Sequence, residues 1–425
     1  MHDYLKLFDE IVDIVHNDYS GCNDKKGWDN PAYFREKLEI MIVDNTINNR
    51  TFKEVVDDYL CDLKDRHIFL VAQISGDTQE FSNGFTAYRY ENCLYVVKTF
   101  QENTLEAGDI ILALDNIPIL SVKEKFKRYL DENTSERENW KPIIKKFNTC
   151  TVKKKGGSIV EFTLGRYKPI NPSPEYSFKE LSEEISFLKF TNFANEDVIH
   201  SLIAENKESI QNSRFLIVDV RGNGGGSDSS YLPLLKYIFK DTLMLSDVLK
   251  NDSQSTNYTE RNCRTRINDF KEYLKTNLPP ETITMVNSLI KNYTDNYGKG
   301  FILDKEWEFK IEGLSTPEKV YVITDSWCGS SGDAFVETCS YSDKVTIVGR
   351  PTMGITDYSN LCHFKLNDYF TFMYPTSRVN KIDHGKGLTG KGVPVDIYIP
   401  WTPEHLSRDV DLDYVLDHIK NNYNF

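Results

Sequence analysis

Hydrophobic and polar positions follow two different periods along the chain, and each period predicts one kind of element. Near the N-terminus, "YLKLFDEIVDIV" places apolar residues from Leu5 to Val15 on one face at helical spacing. The stretches "FREKLEIMIVD" and "FKEVVDDYLCDL" repeat this pattern. We therefore predict a helical region over residues 1 to about 75.

The following segment has the two-residue period of strands. "NGFTAYRYENCLYVVKTF" predicts two strands joined by a turn at Glu91-Asn92, and "CTVKKKGGSIVEFTLGRY" predicts a β-hairpin around Gly156-Gly157. The proline-containing link "KPINPSPEYS" then ends the pattern. These features predict a small β-rich domain over residues 76–170.

Continuous apolar runs alternate with helices in the rest of the chain. "RFLIVDV" is typical of a strand that is buried on both faces of a parallel sheet, and "KVYVITD" and "KVTIVG" have the same continuous apolar pattern. Strand–helix–strand order with short connections predicts right-handed crossovers in an α/β core over residues 171–425. Residues of about 241–315 are polar and partly helical in pattern, and we interpret them as an insertion into this core.

Length and charge narrow the class of protein. A chain of 425 residues is too long for one typical core, which agrees with several domains. A net charge of −13 disfavours nucleic acid as a partner. No apolar run approaches the roughly 18 residues of a membrane span. The N-terminus lacks signal-peptide features, so we expect a cytoplasmic protein, or a secreted one if a signal segment has been removed.

Cysteine and histidine spacing gives no sign of a metal site. The eight cysteines are scattered without a CxxC pair, which favours reduced thiols over disulfides. The eight histidines form no HExxH motif and no cluster at zinc spacing. We therefore predict neither a catalytic metal nor a cofactor.

A glycine-rich loop, Arg221–Gly226, follows a predicted strand and precedes a predicted helix. Its backbone amides could bind a phosphate, form an oxyanion hole, or simply make a tight turn. The GxxxxGK[ST] phosphate motif is absent, and Ser227 breaks the GxGxxG pattern. The loop alone leaves the oxyanion hole and the tight turn open.

The stretch "DSWCGSSGDAFVET" also allows two interpretations. Ser330 and Asp333 fit a capping box at the start of a helix. Alternatively, Ser330 is a nucleophile at a strand-to-helix corner, with the N–H of Ser331 as an oxyanion donor. A serine nucleophile needs a base, and the best candidate is His67 in "LKDRHIFL", although a lone histidine is more often an ordinary side chain.

In combination, these motifs resemble the S41 family of serine peptidases. "FLIVDVRGNGGG" followed by "VYVITDSWCGSSGDAFVETCSYSDKVTIVGRPTMG" resembles the two core motifs of the family, in the same order. The likeness extends over nearly the whole chain and implies a multi-domain α/β protein. Its parts would be an N-terminal helical region, a PDZ-like domain and a crotonase/ClpP-like core, as in tail-specific proteases.

The resemblance also assigns roles to residues. It implies that Ser330 is the nucleophile and His67 the base, and that the N–H groups of Ser331 and Gly225 form the oxyanion hole. The supporting positions would be three: Gly224, Gly226 and Asp333.

Two branches of the family differ in their base. Ile355 stands where the Ser-Lys branch has its lysine, whereas His67 fits the histidine-using branch, as in the tricorn core. Arg66 stands where that branch has a serine, and Thr389 or Gly390 falls near its glutamate. The residue that orients His67 is therefore not identified by the sequence.

The predicted function is that of a serine endopeptidase acting on peptide or protein substrates. One alternative is a catalytically degenerate peptide-binding protein on the same scaffold, and another is a hydrolase of non-peptide esters or amides. The sequence leaves open the substrate preference, the oligomeric state, the role of the insertion and whether the PDZ-like domain binds peptide.

Overall fold

The computed structural model describes residues 3–73, 81–130, 132, 134–170, 172–249, 253–305 and 308–423. The chain forms two compact units. Unit 1 comprises Met1–Gln79, Leu249–Trp307 and Ile355–Thr389, and unit 2 comprises Glu80–Val248, Glu308–Gly354 and Gly390–Phe425. The division into three consecutive domains stays a prediction, and its first boundary, at residues 75 and 76, lies outside the described residues.

The described helices are, in chain order, α1 Tyr4–Asn17, α2 Pro31–Val43, α3 Asn49–Leu60, α4 Ile119–Lys125, α5 Lys127–Leu130, α6 Lys141–Ile144, α7 Glu196–Glu205, α8 Lys207–Asn212, α9 Leu232–Ile238, α10 Leu245–Val248, α11 Glu260–Tyr273, α12 Pro280–Asp295, α13 Ser331–Ser340 and α14 Val410–Asn422. None of them has both the length and the apolar character that crossing a membrane requires.

The described strands are, in chain order, β1 Phe69–Ala72, β2 Phe85–Tyr90, β3 Cys93–Thr99, β4 Ile110–Leu114, β5 Ile117–Pro118, β6 Thr149–Lys153, β7 Ile159–Thr163, β8 Tyr176–Ser182, β9 Ile185–Phe190, β10 Phe215–Asp219, β11 Leu243–Met244, β12 Gln254–Tyr258, β13 Gly300–Leu303, β14 Lys310–Ile311, β15 Lys319–Thr324, β16 Val345–Gly349, β17 Tyr358–Lys365, β18 Phe370–Val379 and β19 Ile397–Tyr398.

Unit 1 combines the N-terminal helices with an antiparallel sheet. The sheet order is β1-β18-β12-β13, and β17 also pairs with β18. Helices α1 to α3 confirm the predicted helical pattern, and they bury their apolar faces in the same core as β18. The ring of Phe52 on α3, for example, lies 5.1 Å from that of Tyr4 and 5.2 Å from that of Phe370.

Part of the polar segment 241–315 belongs to unit 1. Helices α11 and α12 confirm its partly helical pattern, but strands β12 and β13 were not predicted. Strand β12 reads "QSTNY" and has no apolar alternation. It is held by polar contacts instead, since Thr256 Oγ1 lies 2.6 Å from Ser377 Oγ and donates to Asp304 Oδ2 at 2.7 Å.

Unit 2 contains a β-rich segment with the sheet order β2-β3-β4-β6-β7. The predicted hairpin between β6 and β7 is confirmed, and Gly157 in its turn has φ +87°, a value that favours glycine. Leu94, Ile111 and Trp140 lie in the buried core beneath this sheet. The likeness of this segment to a PDZ domain stays a prediction.

The second sheet of unit 2 carries the predicted α/β core. Its order is β19-β16-β15-β10-β9-β8, and all neighbours are parallel except β8 and β9. Every residue of β10 is buried, as its continuous apolar run predicts. Because β10 and β15 are parallel neighbours, their carboxyl ends lie at the same edge of the sheet. The segments that follow these two strands are the glycine loop and the serine stretch.

Candidate active site

Ser330 occupies a sharp corner between strand β15 and helix α13. Its backbone has φ +57° and ψ −124°, a left-handed conformation that is uncommon and strained for a residue other than glycine. Ser330 is also the N-cap of α13, and its side chain is half-buried. A strained strand-to-helix corner is the geometry that lifts a serine hydroxyl away from the backbone in hydrolases.

Asp333 fixes this corner from one turn further along the helix. Its carboxylate is fully buried and accepts the N–H of Ser330 at 2.9 Å through Oδ2. This contact is the reach-back that the capping-box pattern predicts. Through Oδ1 the carboxylate also accepts the N–H of Gly354 at 2.7 Å. Asp333 therefore joins the serine corner to the segment that follows β16.

The glycine loop packs directly against this corner. A Cβ atom on Gly225 would lie 2.5 Å from Ser330 Cβ and 3.0 Å from Ser330 Oγ, and Gly225 has φ +91°. A Cβ on Gly226 would lie 2.2 Å from the carbonyl carbon of Phe193. Ser331 Oγ donates to the carbonyl of Gly226 at 3.0 Å. Both glycines are thus required by close approach of the backbone.

The backbone amides near Ser330 differ in their partners. The N–H of Gly225 donates to Asn223 Oδ1 at 2.9 Å. In contrast, the N–H groups of Gly224 and Ser331 have no hydrogen-bond partner among the described residues. Ser331 is the first residue of α13, where amides lack intrahelical partners and the helix dipole is positive.

His67 lies in unit 1, just before strand β1. The side chain is buried, and Nδ1 lies 2.8 Å from the carbonyl oxygen of Tyr358. Because a carbonyl can only accept, this contact assigns the proton to Nδ1 and leaves the lone pair on Nε2. The backbone N–H of His67 donates to Asp65 Oδ1 at 2.9 Å. A backbone carbonyl thus orients the imidazole, and such a partner has no signature in the sequence.

A buried polar network surrounds this histidine segment. Asp65 Oδ2 accepts the hydroxyl of Tyr19 at 2.6 Å, and Lys25 Nζ donates to the same hydroxyl at 2.8 Å. Lys25 Nζ also lies 4.2 Å from the ring centroid of Tyr358. Burial lowers the pKa of Lys25, and nearby carboxylates, Asp65 first among them, oppose that shift. The network ties the two chain segments that hold the imidazole.

In unit 2, Arg137 supports the segment after β16. Its guanidinium is buried and donates to the carbonyls of Thr352 at 2.6 Å and Met353 at 2.8 Å. The N–H of Met353 in turn donates to the carbonyl of Cys328 at 2.6 Å. Nothing in the sequence marks Arg137 for this role, because one arginine in a charged segment forms no distinctive pattern.

A buried ion cluster anchors the start of the glycine loop. Asp411 of helix α14 is fully buried, and its carboxylate lies 2.5 Å from Arg350 Nη1 and 3.0 Å from Arg221 Nη1. Burial alone would raise the pKa of Asp411, but a hydrogen bond from His405 and the two guanidinium charges hold it well below its usual value. The first residue of the loop is thus fixed by charge.

Within the described residues, no group of three or more His, Cys, Asp or Glu side chains is arranged to hold a metal ion. No disulfide joins the eight cysteines, all of which lie in the described part of the chain.

A serine with positive φ at a strand-to-helix corner of a parallel α/β core is an arrangement found in serine hydrolases. Within that class, the model of peptidase family S41 matches residues 184–399, which is half of the chain. The chain belongs to peptidase family S41 and is a serine peptidase. No curated protein matches its sequence.

Solved structures with a similar fold include three of CPAF, each 14% identical to this chain. Mature CPAF complexed with lactacystin aligns with a TM-score of 0.65, over 98% of this chain and 97% of that chain. Mature CPAF alone gives 0.61, and a CPAF mutant gives 0.68, each over 99% of this chain and 98% of that chain. At this identity the likeness shows the fold.

Proposed function

We propose that the chain is a serine endopeptidase in which Ser330 is the nucleophile and His67 the general base. The observation that carries the proposal is the strained left-handed backbone of Ser330. Strain of this kind costs of order 1–3 kcal/mol, persists where the surrounding structure holds it in place, and clusters at active sites. An ordinary helix cap would need no such conformation.

In the proposed reaction, His67 Nε2 removes the hydroxyl proton of Ser330 as Oγ attacks the peptide carbonyl. The Nδ1 contact with the Tyr358 carbonyl supports this role, because it holds the tautomer in which Nε2 can accept a proton. His67 then protonates the leaving amine, and water hydrolyses the acyl-enzyme by the same route.

Backbone amides would stabilise the negative oxygen of the tetrahedral intermediate. The N–H of Ser331 is the first donor, in agreement with its position at the start of α13. Gly225 is the second donor that the family resemblance implies, and its N–H would have to share or leave its bond to Asn223 Oδ1. The N–H of Gly224, which has no partner among the described residues, is the alternative in the same loop.

The test is covalent labelling with a fluorophosphonate probe. We expect the wild type to be labelled at Ser330, the Ser330→Ala variant to be unlabelled, and His67→Ala to be labelled far more slowly. Matched controls are Ser340→Ala, at the exposed end of α13, and His363→Ala, on the exposed face of β17, both of which should react like the wild type.

Cleavage of a fluorogenic peptide pool completes the test. Peptide cleavage that is lost in Ser330→Ala supports the endopeptidase. Labelling of Ser330 together with turnover of simple esters alone would indicate a hydrolase of non-peptide substrates. A folded wild type that neither reacts nor cleaves would indicate a degenerate peptide-binding protein.

A further inference from the structure

We propose that Asn223 is a positioning residue that sets the distance between the glycine loop and the nucleophile. The proposal rests on the proposed function, since it assumes that Ser330 attacks and that the N–H of Gly224 is the loop donor facing the oxyanion, while the N–H of Gly225 stays bonded to Asn223 Oδ1. Asn223 takes no part in the proposed bond-breaking steps, and its residue type in the glycine loop does not by itself predict a role in catalysis.

Asn223 is fully buried in the middle of the loop, and its polar groups contact three different segments. Its Oδ1 accepts the N–H of Gly225 at 2.9 Å, and its Nδ2 donates to the carbonyl of Phe190 at the end of β9, at 3.0 Å. Its own carbonyl accepts the N–H of Gly329 at 2.9 Å, one residue before the nucleophile.

The two carboxamide contacts matter because they are the only side-chain contacts that the five residues after Arg221 make from within the loop; the glycines are held through their backbone alone, as by the bond from the N–H of Gly222 to Asp325 Oδ1. Four of the five residues after Arg221 are glycines, which restrict the backbone least and contribute no side-chain contacts. Asn223 is the one residue among those five with a side chain beyond Cα. Its carboxamide fixes the loop to strand β9, and its carbonyl fixes the loop to the serine corner.

The expected consequence is specific to the transition state. Moving the loop amides by a fraction of an ångström weakens the contact with the developing oxyanion, but it leaves the binding of the ground-state substrate nearly unchanged. Loss of Asn223 should therefore lower kcat with little change in KM. Loss of a residue that only stabilises the fold would reduce the amount of folded enzyme. The molecules that still fold would bind a transition-state analogue as tightly as the wild type does.

The experiment compares Asn223→Ala and Asn223→Asp in the full chain, with kinetic constants corrected for the folded fraction. We expect Asn223→Ala to lose on the order of a hundredfold in kcat, with KM within about twofold of the wild type. Asn223→Asp keeps an acceptor for Gly225 but turns a carboxylate oxygen toward the carbonyl of Phe190 and brings a negative charge close to the proposed oxyanion, so its kcat should fall at least as far as that of Asn223→Ala. The affinity for a peptide aldehyde, which mimics the tetrahedral intermediate, should fall in parallel with kcat/KM.

Asn262→Ala is the matched control. Asn262 is also fully buried, its Nδ2 donates to the carbonyls of Asp18 and Asn257, each at 2.8 Å, and its Oδ1 accepts the hydroxyl of Tyr374. This variant should lose stability and keep the kcat and aldehyde affinity of the wild type per folded molecule.

The outcomes separate the two proposals. If the wild type is labelled at Ser330 and folded Asn223 variants keep its kcat and aldehyde affinity, the positioning role is wrong and the proposed function stands. If neither Asn223 variant folds, the role of Asn223 is structural and the proposal is likewise overturned. If the wild type itself does not react at Ser330, the proposed function fails first.

Discussion

Replacing Gly225 by alanine tests the packing of the glycine loop against the nucleophile. The new methyl group would lie 2.5 Å from Ser330 Cβ and 2.9 Å from the carbonyl oxygen of Gly329, well inside normal contact. Overpacking of this kind costs about 1–3 kcal/mol. The left-handed backbone of Gly225, at φ +91°, adds about 1–2 kcal/mol for a residue with a Cβ. The sum is a loss of about 2–5 kcal/mol.

Gly157→Ala isolates the backbone contribution. Gly157 has nearly the same φ, +87°, but a Cβ there would meet nothing within 4 Å. It should therefore lose only about 1–2 kcal/mol. Gly156→Ala, at a neighbouring position with open space and no positive φ, should be close to neutral.

Two measurements on these variants check the reasoning. The midpoint of urea unfolding, followed by circular dichroism, should fall furthest for Gly225→Ala. The rate of fluorophosphonate labelling should fall only for that variant, because only its methyl group displaces Ser330. If Gly225→Ala matched Gly157→Ala in stability and the wild type in reactivity, the close contact would not exist.

Two further predictions concern buried carboxylates. Asp333→Asn can still accept a hydrogen bond from one of the two backbone N–H groups, those of Ser330 and Gly354, but it turns an amide N–H toward the other. The free energy of unfolding should therefore fall by about 1–3 kcal/mol, and the fluorophosphonate probe should label Ser330 more slowly. The control is Asp368→Asn at an exposed position, and equal unfolding midpoints for the two variants would contradict the role of Asp333. Asp411→Asn breaks a buried ion cluster and should lose about 3–5 kcal/mol at pH 7. Because the folded-state pKa of Asp411 lies below its unfolded value of 3.8, this stabilisation is present above about pH 4 and is lost as the pH falls through the folded pKa. The difference in unfolding free energy from the wild type should therefore be smaller at pH 3.5 than at pH 7, and an equal difference at both pH values would contradict the assigned cause.

The α/β core was predictable from the sequence because its signals are local. The continuous apolar run of β10 follows from burial on both faces of the sheet, and the turn at Gly157 follows from the need for a positive φ. The sequence placed the serine corner and the glycine loop together only through the family resemblance, and the structure gives the physical reason, since β10 and β15 are parallel neighbours that end at one edge.

The supporting structure could not be predicted, because its partners are distant or are backbone atoms. The carbonyl of Tyr358 orients His67 from 291 positions along the chain. Strand β12 is polar and is held by Ser377 and Asp304, so no apolar alternation marks it. In the sequence, Asn223 looks like any other asparagine in a loop. Its role follows from the partners of its carboxamide, the carbonyl of Phe190 and the N–H of Gly225, which only the folded structure shows.

The way in which the two units share the chain affects the order in which they can be completed during synthesis. Unit 1 takes up three separate stretches, and β18, which pairs with β1, β12 and β17, is the last of its strands to leave the ribosome. The apolar surface by which the N-terminal helices pack against β18, at Phe52 for example, therefore stays uncovered until about residue 380 has emerged. A chain that stalls or is cut before that point lacks the strand on which the sheet is assembled, so such fragments should depend on chaperones or be degraded.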